Sequence, residues 1–208
     1  MSASQPVGLA LERAFPATTE EALFVQELQA GSEEAFASLL EAYQHPVFNL
    51  IAHIVENSSD AADVLQDVFL KVFRGIRHFH GDSSLKTWIY RIAVHEASNH
   101  RRGWIRRHRR EPFSLDESMT QPAAALAEDR SETPYQAFEQ SEREGMVKRA
   151  LASLAQPYRT VVVLREIEGM SYEEIAKVVG VAEGTVKSRL MRGRELLRQK
   201  IVRLGVRG

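Results

Sequence analysis

The chain has 208 residues, of which 27 are basic and 28 acidic, giving a formal net charge of -1. Hydrophobic residues make up 44% and charged residues 26%, which argues against a largely disordered chain, and the lack of cysteine excludes disulfides, cysteine-ligated zinc and a thiol nucleophile. The longest aliphatic run covers residues 161–164, far short of the ~20 residues that span a bilayer, so no membrane span is expected.

The N-terminal part of the sequence predicts a loose tail followed by a helix. Residues 1–22 are polar and lack the basic start and apolar stretch of a secretory signal, so we expect a cytoplasmic protein. Ser32 is a suitable N-cap for a helix whose apolar residues recur at helical spacing as far as Tyr43. Pro46 is expected to break or kink this helix before a second helical segment that ends near Ile54.

Two further helices are predicted before residue 110. Asp60 is a plausible cap for the third, whose apolar stripe runs from Val64 through Phe73 to Ile76. Residues 80–83 resemble a tight loop, and a fourth helix is expected to start near Ser84. That helix continues into residues 98–110, which hold six arginines, two histidines and no acid. Such a cluster favours contact with phosphates, although a disordered basic tail is the alternative.

Residues 111–145 differ in composition from both of their flanks. They carry nine acidic and two basic side chains and three prolines, which predicts a flexible acidic linker. The C-terminal block, residues 146–208, carries thirteen basic and six acidic side chains and is therefore strongly basic. The near-neutral total charge thus conceals segregated charge and does not argue against a nucleic-acid partner.

The C-terminal block is predicted to be helical throughout. Pro157 opens a helix that Gly169 ends, and Ser171 with Glu174 forms a capping box at the start of the next. Gly180 is a left-handed C-cap, and a last helix opens three residues later. No useful strand-period pattern occurs, so the predicted fold class is all-α, with two small helical domains joined by the flexible acidic linker.

Two helices joined by the tight turn at Gly180 have the layout of a helix-turn-helix. At about 100° per residue, one face of the last helix is apolar and should contact the core. The opposite face is small, polar and basic, and it contains Gly184, Ser188, Met191 and Arg192, with Lys187 on its flank. Arginine or lysine suits guanine and methionine suits the thymine methyl group, so this face predicts reading of a major groove. A plain solvated helix is the alternative.

Three stretches of the chain also match motifs of a known family. Residues 63–73 (DVLQDVFLKVF), residues 87–93 (TWIYRIA) and the pair 171–176 (SYEEIA) with 183–190 (EGTVKSRL) occur in that family's order and spacing. They resemble regions 2.2, 2.3 to 2.4 and 4 of bacterial extracytoplasmic-function sigma factors, which are group 4 of the sigma-70 superfamily. The resemblance covers roughly residues 23–110 and 146–203 and is highly specific because all three motifs occur together.

The resemblance implies an alternative sigma factor that directs promoter-specific transcription initiation. In this organisation residues 1–22 would be a disordered tail. Residues 23–110 would be sigma region 2, which binds core polymerase and recognises and melts the minus-ten element. Residues 111–145 would be the linker, and residues 146–208 would be sigma region 4, which reads the minus-thirty-five element. The implied partners are core RNA polymerase, through its β′ clamp helices and β flap, promoter DNA and an anti-sigma factor. No enzyme activity, cofactor or small-molecule substrate is expected.

The resemblance further implies three groups of site residues. The core-polymerase-binding group is Asp63, Gln66, Asp67 and Lys71. The minus-ten group is His80, Asp82, Ser83, Lys86, Trp88, Tyr90, Arg91, His95, Asn99, Arg101 and Arg102, in which Trp88 is expected to pack on the core while Tyr90, Arg91 and His95 point outward. The minus-thirty-five group is Gly184, Thr185, Lys187, Ser188, Met191 and Arg192. His95 stands where the family commonly has asparagine, so the usual minus-ten base preference does not transfer.

Two other functions remain open from the residues alone. One is a stand-alone helix-turn-helix regulator with residues 23–110 as a sensor domain. The other is a metal-dependent enzyme fused to a helix-turn-helix, for which His78 and His80 would be the first ligands to consider. No third histidine or cysteine stands at a matching helical spacing, and no nucleotide-binding or hydrolase motif occurs in the sequence.

Overall fold

The structure is a computed structural model that describes residues 19–55, 58–108 and 145–205. In these ranges the chain forms eight α-helices: α1 (Thr19–Ala30), α2 (Glu33–Val55), α3 (Ser58–Gly75), α4 (Leu85–His108), α5 (residues 145–152), α6 (Gln156–Val162), α7 (Tyr172–Val179) and α8 (Glu183–Gly205). A 3₁₀ turn at Ile76–His78 follows α3, and a π-helical turn at Val163–Ile167 follows α6. The described residues include no strand, and the predicted all-α fold class is confirmed.

The N-terminal half is built from α2, α3 and α4, which pack against one another. Val47, Val68 and Ile89, one from each helix, are fully buried between them. Helix α1 adds polar contacts to this bundle, because the Gln29 amide donates hydrogen bonds to the carbonyl oxygens of Ile76 (3.2 Å) and Phe79 (2.9 Å). Since α1 begins at Thr19, the last four residues of the predicted tail are helical, and residues 1–18 lie outside the described part of the chain.

Two predicted helix starts are confirmed in this half, whereas a break at Pro46 and a cap at Asp60 are wrong. Ser32 Oγ accepts a hydrogen bond from the Ala35 amide (3.2 Å), and Ser84 Oγ accepts one from the Thr87 amide (3.2 Å), so both residues cap their helices. Pro46, expected to break or kink α2, lies inside that single helix, where it removes one amide donor without ending the element. Asp60 is not the cap of α3, because the helix already begins at Ser58.

The C-terminal half contains the predicted helix-turn-helix in α7 and α8. Ser171 and Glu174 form the capping box, with the Glu174 amide 3.2 Å from Ser171 Oγ and the Ser171 amide 2.8 Å from Glu174 Oε2. Gly180 ends α7 in the left-handed conformation at φ 67° and ψ 40°. The turn that orients α8 is therefore fixed by local hydrogen bonds and by a glycine that has no Cβ to strain.

Helix α8 crosses α6 at Gly193, where the backbones come close together. A Cβ atom at position 193 would lie 2.8 Å from Val162 Cγ2 and 3.4 Å from the Tyr158 carbonyl oxygen. Val162 is itself buried, so its methyl group has little room to move away. Glycine at this position is thus a packing requirement of the contact between α6 and α8.

We expect Gly193→Ala to lower the free energy of unfolding by about 1–2 kcal/mol, because the added methyl group overpacks the contact with Val162. Gly184→Ala, on the same helix, is the matched control: a Cβ there meets nothing within 4 Å. The control should be neutral or more stable by up to about 1 kcal/mol, since alanine is the better helix former. Urea denaturation of both variants measures the difference, and equal stabilities would contradict the packing argument.

The two halves also contact each other, which no pattern in the sequence indicated. Helix α4 packs against α7 and helix α2 against α6, and the buried apolar side chains of both halves belong to one continuous cluster. Gln156 Nε2 donates to Ser98 Oγ (2.8 Å), and Arg159 Nη1 donates to the His53 carbonyl oxygen (2.9 Å). The predicted linker lies outside the described residues apart from residue 145, which is already helical.

Among the helices of the described ranges, none combines the length and apolar character needed to cross a membrane.

Candidate nucleic-acid interface

The outward face of α8 has the composition and exposure that a groove-reading helix needs. Val186 and Leu190 are buried, at 0% and 1% exposure, which fixes the rotation of the helix about its axis. This rotation leaves Met191 72% exposed, and Gly184, Lys187, Ser188 and Arg192 are exposed beside it, with Thr185 half-buried. The predicted apolar and outward faces of this helix are confirmed.

Some side chains of this face already form hydrogen bonds or ion pairs within the chain, and others do not. Lys187 forms an ion pair with Glu183 (2.7 Å), whose hydrogen bond raises the pKa of that lysine. Ser188 Oγ donates to the Thr185 carbonyl oxygen at 3.0 Å. Arg192 makes no hydrogen bond or ion pair with the described residues. Its guanidinium can therefore enter a groove without first breaking a bond to the described part of the chain.

Two cations lie close to the ring of Tyr172, the first residue of α7, beside this face. The Arg165 guanidinium carbon is 5.1 Å and Lys187 Nζ 5.7 Å from the centre of its ring. Cations over an aromatic face are attracted to its negative potential, so the ring holds both charges at the edge of the helix-turn-helix. The sequence pattern indicated Lys187 but not this arrangement, because cation–π contacts leave no periodic signal.

A second polar surface follows one face of α4. Arg91, His95, Asn99 and Arg102 succeed one another at helical spacing and are all exposed. Asn99 Nδ2 lies 3.3 Å from His95 Nε2, and Arg102 Nη2 donates to Asn99 Oδ1 at 2.6 Å. The three side chains therefore form a connected polar row rather than independent solvated groups.

Glu96 anchors this row to α3. Lys71 Nζ forms an ion pair with one carboxylate oxygen of Glu96, and His95 Nδ1 lies 2.9 Å from the other. Burial by itself raises the pKa of Glu96, but the hydrogen bonds from Lys71 and His95 outweigh it and place the pKa below its ordinary value. Lys71, predicted for the polymerase surface, thus also supports His95 on the α4 surface.

Other members of the predicted minus-ten group lie elsewhere. His80 and Asp82 are exposed in the predicted loop, where Gly81 adopts φ 79°, and Ser83 Oγ donates to the Ser84 carbonyl oxygen (3.3 Å). Trp88 is half-buried against Phe79, with ring centroids 5.2 Å apart, in agreement with its expected core packing. Arg101 Nη1 reaches Gln156 Oε1 at 3.4 Å, across the contact between the two halves.

The prediction that Tyr90 points outward is wrong for this structure. Tyr90 is 1% exposed, and its hydroxyl donates to Glu168 Oε2 at 2.5 Å. Lys86 Nζ donates to the Glu168 carbonyl oxygen at 2.9 Å and lies 5.5 Å from the centre of the Tyr90 ring. The periodicity of α4 allowed an outward tyrosine because nothing in it indicated that the C-terminal half covers this face.

The third surface is an apolar groove between α2 and α3, flanked by the predicted polar ridge. Asp63, Gln66 and Asp67 are exposed along α3. Beside them Leu70 is 44% and Phe73 56% exposed, although Phe73 was expected within the buried stripe of that helix. The apolar lining is completed by Phe36, Leu39, Leu40, Leu65, Phe69 and Val72. The sequence analysis predicted the ridge and missed the groove, because an apolar stripe does not show whether its own chain covers it.

The part of the chain that the structure describes contains no group of three histidine, aspartate or glutamate side chains placed to hold a metal ion.

Comparison with known proteins places these surfaces in a family. Residues 39–111 match the family described as sigma-70 region 2, and residues 144–197 match sigma-70, region 4. The RNA polymerase sigma-H factor of Pseudomonas aeruginosa is 39% identical over 178 residues, which cover 83% of this chain and 89% of that protein. The ECF RNA polymerase sigma-E factor of Escherichia coli K12 is 36% identical over 183 residues, covering 86% and 93% of the two chains.

Solved structures share the fold. The sigma factor RpoE from Bartonella quintana, in complex with the anti-sigma factor NepR, superposes with a TM-score of 0.63 at 24% identity, covering 80% of this chain and 96% of that one. CnrH, in complex with the cytosolic domain of CnrY, gives 0.61 at 21% identity, covering 86% and 95%. A region 2 match in the N-terminal half disfavours the stand-alone regulator with a sensor domain. The chain belongs to the extracytoplasmic-function RNA polymerase sigma factors, the alternative sigma factors that direct transcription initiation.

Proposed function

We propose that this sigma factor reads the minus-thirty-five duplex with α8, captures unpaired minus-ten bases with α4, and binds core RNA polymerase through α3. The outward face of α8 carries the proposal, because Met191 and Arg192 project from a capped helix-turn-helix whose opposite face is buried. Proteins of this layout place the N-terminal turns of the second helix in the major groove. Arg192 would donate to a guanine, and Met191 would contact a thymine methyl group.

The α4 surface supports the assignment to minus-ten DNA. Single-stranded bases are held by basic grooves with flat side chains on which bases stack. Arg91 and Arg102 supply charge at either end of the row, and the His95 imidazole between them supplies a flat, polar ring. We therefore assign Arg91, His95, Asn99 and Arg102 to base capture, with His80 and Asp82 at the neighbouring loop.

The groove between α2 and α3 supports the assignment to core polymerase. A partner that covers it must present apolar side chains to Leu70 and Phe73 and basic side chains to Asp63 and Asp67. We propose the β′ clamp helices as that partner and the β flap as the partner of the C-terminal half. An anti-sigma factor is a further proposed partner, since one fold neighbour, RpoE, was solved in complex with the anti-sigma factor NepR.

We also propose the domain organisation that the sequence indicated. Residues 1–22 would form the tail, residues 23–110 region 2, residues 111–145 the linker and residues 146–208 region 4. We propose that the chain performs no chemistry of its own and works in the cytoplasm, where polymerase and promoter are found. The favourable free energy of binding unpaired bases offsets the cost of holding those bases out of the duplex.

The test of this function is reconstitution with core RNA polymerase. Purified chain and core enzyme should elute together, and the holoenzyme should initiate at a restricted set of promoters when supplied with fragmented genomic DNA. Mapping of the transcript starts then gives the two elements by alignment. A chain that binds duplex DNA specifically but never associates with core polymerase would instead be a stand-alone regulator.

His95→Asn should change the base preference at the minus-ten element, because an amide presents hydrogen-bond groups to a base edge differently from an imidazole. Binding to core polymerase should be unaltered, since His95 lies away from the groove between α2 and α3. Run-off transcription from a promoter library randomised at the minus-ten element measures the preference. An equal loss on every promoter would contradict a role in base selection.

A further inference from the structure

The carboxylate of Glu96 connects α3 to the polar row on α4. The Glu96 side chain is 14% exposed, whereas the His95 side chain beside it is 66% exposed. One carboxylate oxygen pairs with Lys71 Nζ at 2.5 Å, and the other lies 2.9 Å from His95 Nδ1. The half-buried acid is therefore held through both of its oxygens, while the imidazole that it contacts stays open to a ligand.

These contacts determine which nitrogen of the neutral imidazole carries the hydrogen. Although burial acts to raise the pKa of Glu96, hydrogen bonds from Lys71 and His95 hold it below its ordinary value, so at neutral pH the carboxylate is ionised and can only accept hydrogen bonds. His95 Nδ1 must then be the donor, which leaves Nε2 as an acceptor. Asn99 agrees with this tautomer, because its Oδ1 accepts from Arg102 and its amide nitrogen lies 3.3 Å from His95 Nε2.

We propose that Glu96 is a positioning residue for minus-ten base selection: it fixes His95 Nε2 as a hydrogen-bond acceptor, so that the base captured there is adenine or cytosine. The proposal rests on the assignment of His95 to base capture. At the corner of the base where adenine and cytosine carry an amino group, guanine and thymine carry a carbonyl oxygen. An acceptor nitrogen attracts the amino hydrogen and repels the carbonyl oxygen, so the tautomer of His95 separates these two pairs of bases.

Lys71 makes the tautomer sensitive to a substitution that keeps the shape of the Glu96 side chain. An ammonium group requires an acceptor, so in Glu96→Gln the side-chain amide turns its oxygen toward Lys71. The amide hydrogens then face His95 Nδ1, which must become the acceptor. The imidazole hydrogen moves to Nε2, and the ring presents a donor to the base. Glu96→Gln should therefore favour guanine or thymine at the position that His95 contacts.

Nitrogen NMR of the full chain with isotope-labelled histidine tests the tautomer. The chain has seven histidines, and the imidazole signals that disappear in His95→Asn identify those of position 95. At alkaline pH, where an imidazole is neutral, we expect the hydrogen on Nδ1 in the unchanged chain and on Nε2 in Glu96→Gln. Glu41→Gln removes the same charge from an exposed position of α2 and should leave the tautomer unchanged. The same tautomer in Glu96→Gln and Glu41→Gln would overturn the proposal.

The functional readout is run-off transcription by the holoenzyme from the promoter library randomised at the minus-ten element. The unchanged chain and Glu41→Gln should favour adenine or cytosine at one position. Glu96→Gln should shift the ratio of these two bases to guanine and thymine by about tenfold, because a hydrogen bond is exchanged for a repulsive contact. A preference that His95→Asn changes and Glu96→Gln leaves unaltered would overturn the role of Glu96 alone. A preference that neither substitution changes would refute base capture by His95, on which the proposal rests.

Discussion

Replacement of Arg159 by methionine is expected to lower the free energy of unfolding by about 3 kcal/mol. Arg159 is 3% exposed, and its guanidinium donates to the carbonyl oxygens of His53 (2.9 Å), Ala152 (2.8 Å) and Leu154 (2.9 Å). Methionine fills a similar volume but donates no hydrogen bond, so these carbonyl groups lose their partner within the packed interior. Urea denaturation followed by circular dichroism measures the change.

Arg149→Met is the control for this substitution, because Arg149 lies exposed on α5 and the same exchange there should alter stability little. A second readout is the titration of His53 by NMR. Burial, and then the positive charges of Arg159 and Lys148, hold the pKa of His53 below its ordinary value of 6.5. Removal of the Arg159 charge should therefore raise that pKa. Unchanged stability together with an unchanged His53 titration would show that the guanidinium is not bound as described.

Arg192→Ala is expected to weaken binding to the minus-thirty-five duplex by about 1–3 kcal/mol, or roughly 5- to 150-fold in affinity. The reason is that Arg192 projects from the groove-facing side of α8 with no partner among the described residues. A bidentate contact from such a guanidinium to a guanine distinguishes that base from the other three. Fluorescence anisotropy with the duplex found by transcript mapping measures the affinity at fixed salt.

Arg198→Ala is the matched control on the same helix. Arg198 forms an ion pair with Glu195 at 3.0 Å, and its hydrogen bonds, together with one from Gln199, lower the pKa of that carboxyl group to about 2. Loss of this exposed charge should reduce affinity slightly and equally for all sequences. Selection of bound duplexes from a random pool separates the two effects, since Arg192→Ala should relax one base position. An unaltered consensus would rule out direct reading by Arg192.

The helix-turn-helix was predictable because its determinants are local. The capping box of Ser171 and Glu174 needs only residues three apart, and the left-handed end of α7 needs only Gly180. Once these ends are set, helical periodicity determines which side chains of α8 face outward. The same reasoning identified Ser32 as a cap and placed the start of α4 near Ser84.

The features that sequence could not predict depend on distant parts of the chain. Tyr90 bonds a residue 78 positions away in the chain, and Arg159 bonds a residue 106 positions away. Contacts between such distant residues produce no periodic pattern in the sequence. Helical spacing assigned Tyr90 to the outward face of α4, and the contact between the halves overrides that assignment. No pattern in the sequence singled out Arg159 as a buried residue. The prediction for Phe73 was wrong in the opposite direction. Its spacing in α3 is that of a core residue, but its side chain is exposed in the groove between α2 and α3.

Helix α1 bears on where the folding unit of the N-terminal half begins. The stretch that matches sigma-70 region 2 starts at residue 39, twenty positions after α1 begins at Thr19. Yet Leu28 is buried, Gln29 bonds the turn after α3, and a carboxylate oxygen of Glu21 accepts the amide of Leu85, the first residue of α4. A fragment cut at the family boundary would lose the contact of Glu21 with α4, both contacts of Gln29 with the turn, and the buried side chains of Leu28 and Ala35. The helical bundle of the N-terminal half thus extends beyond the stretch that matches the family.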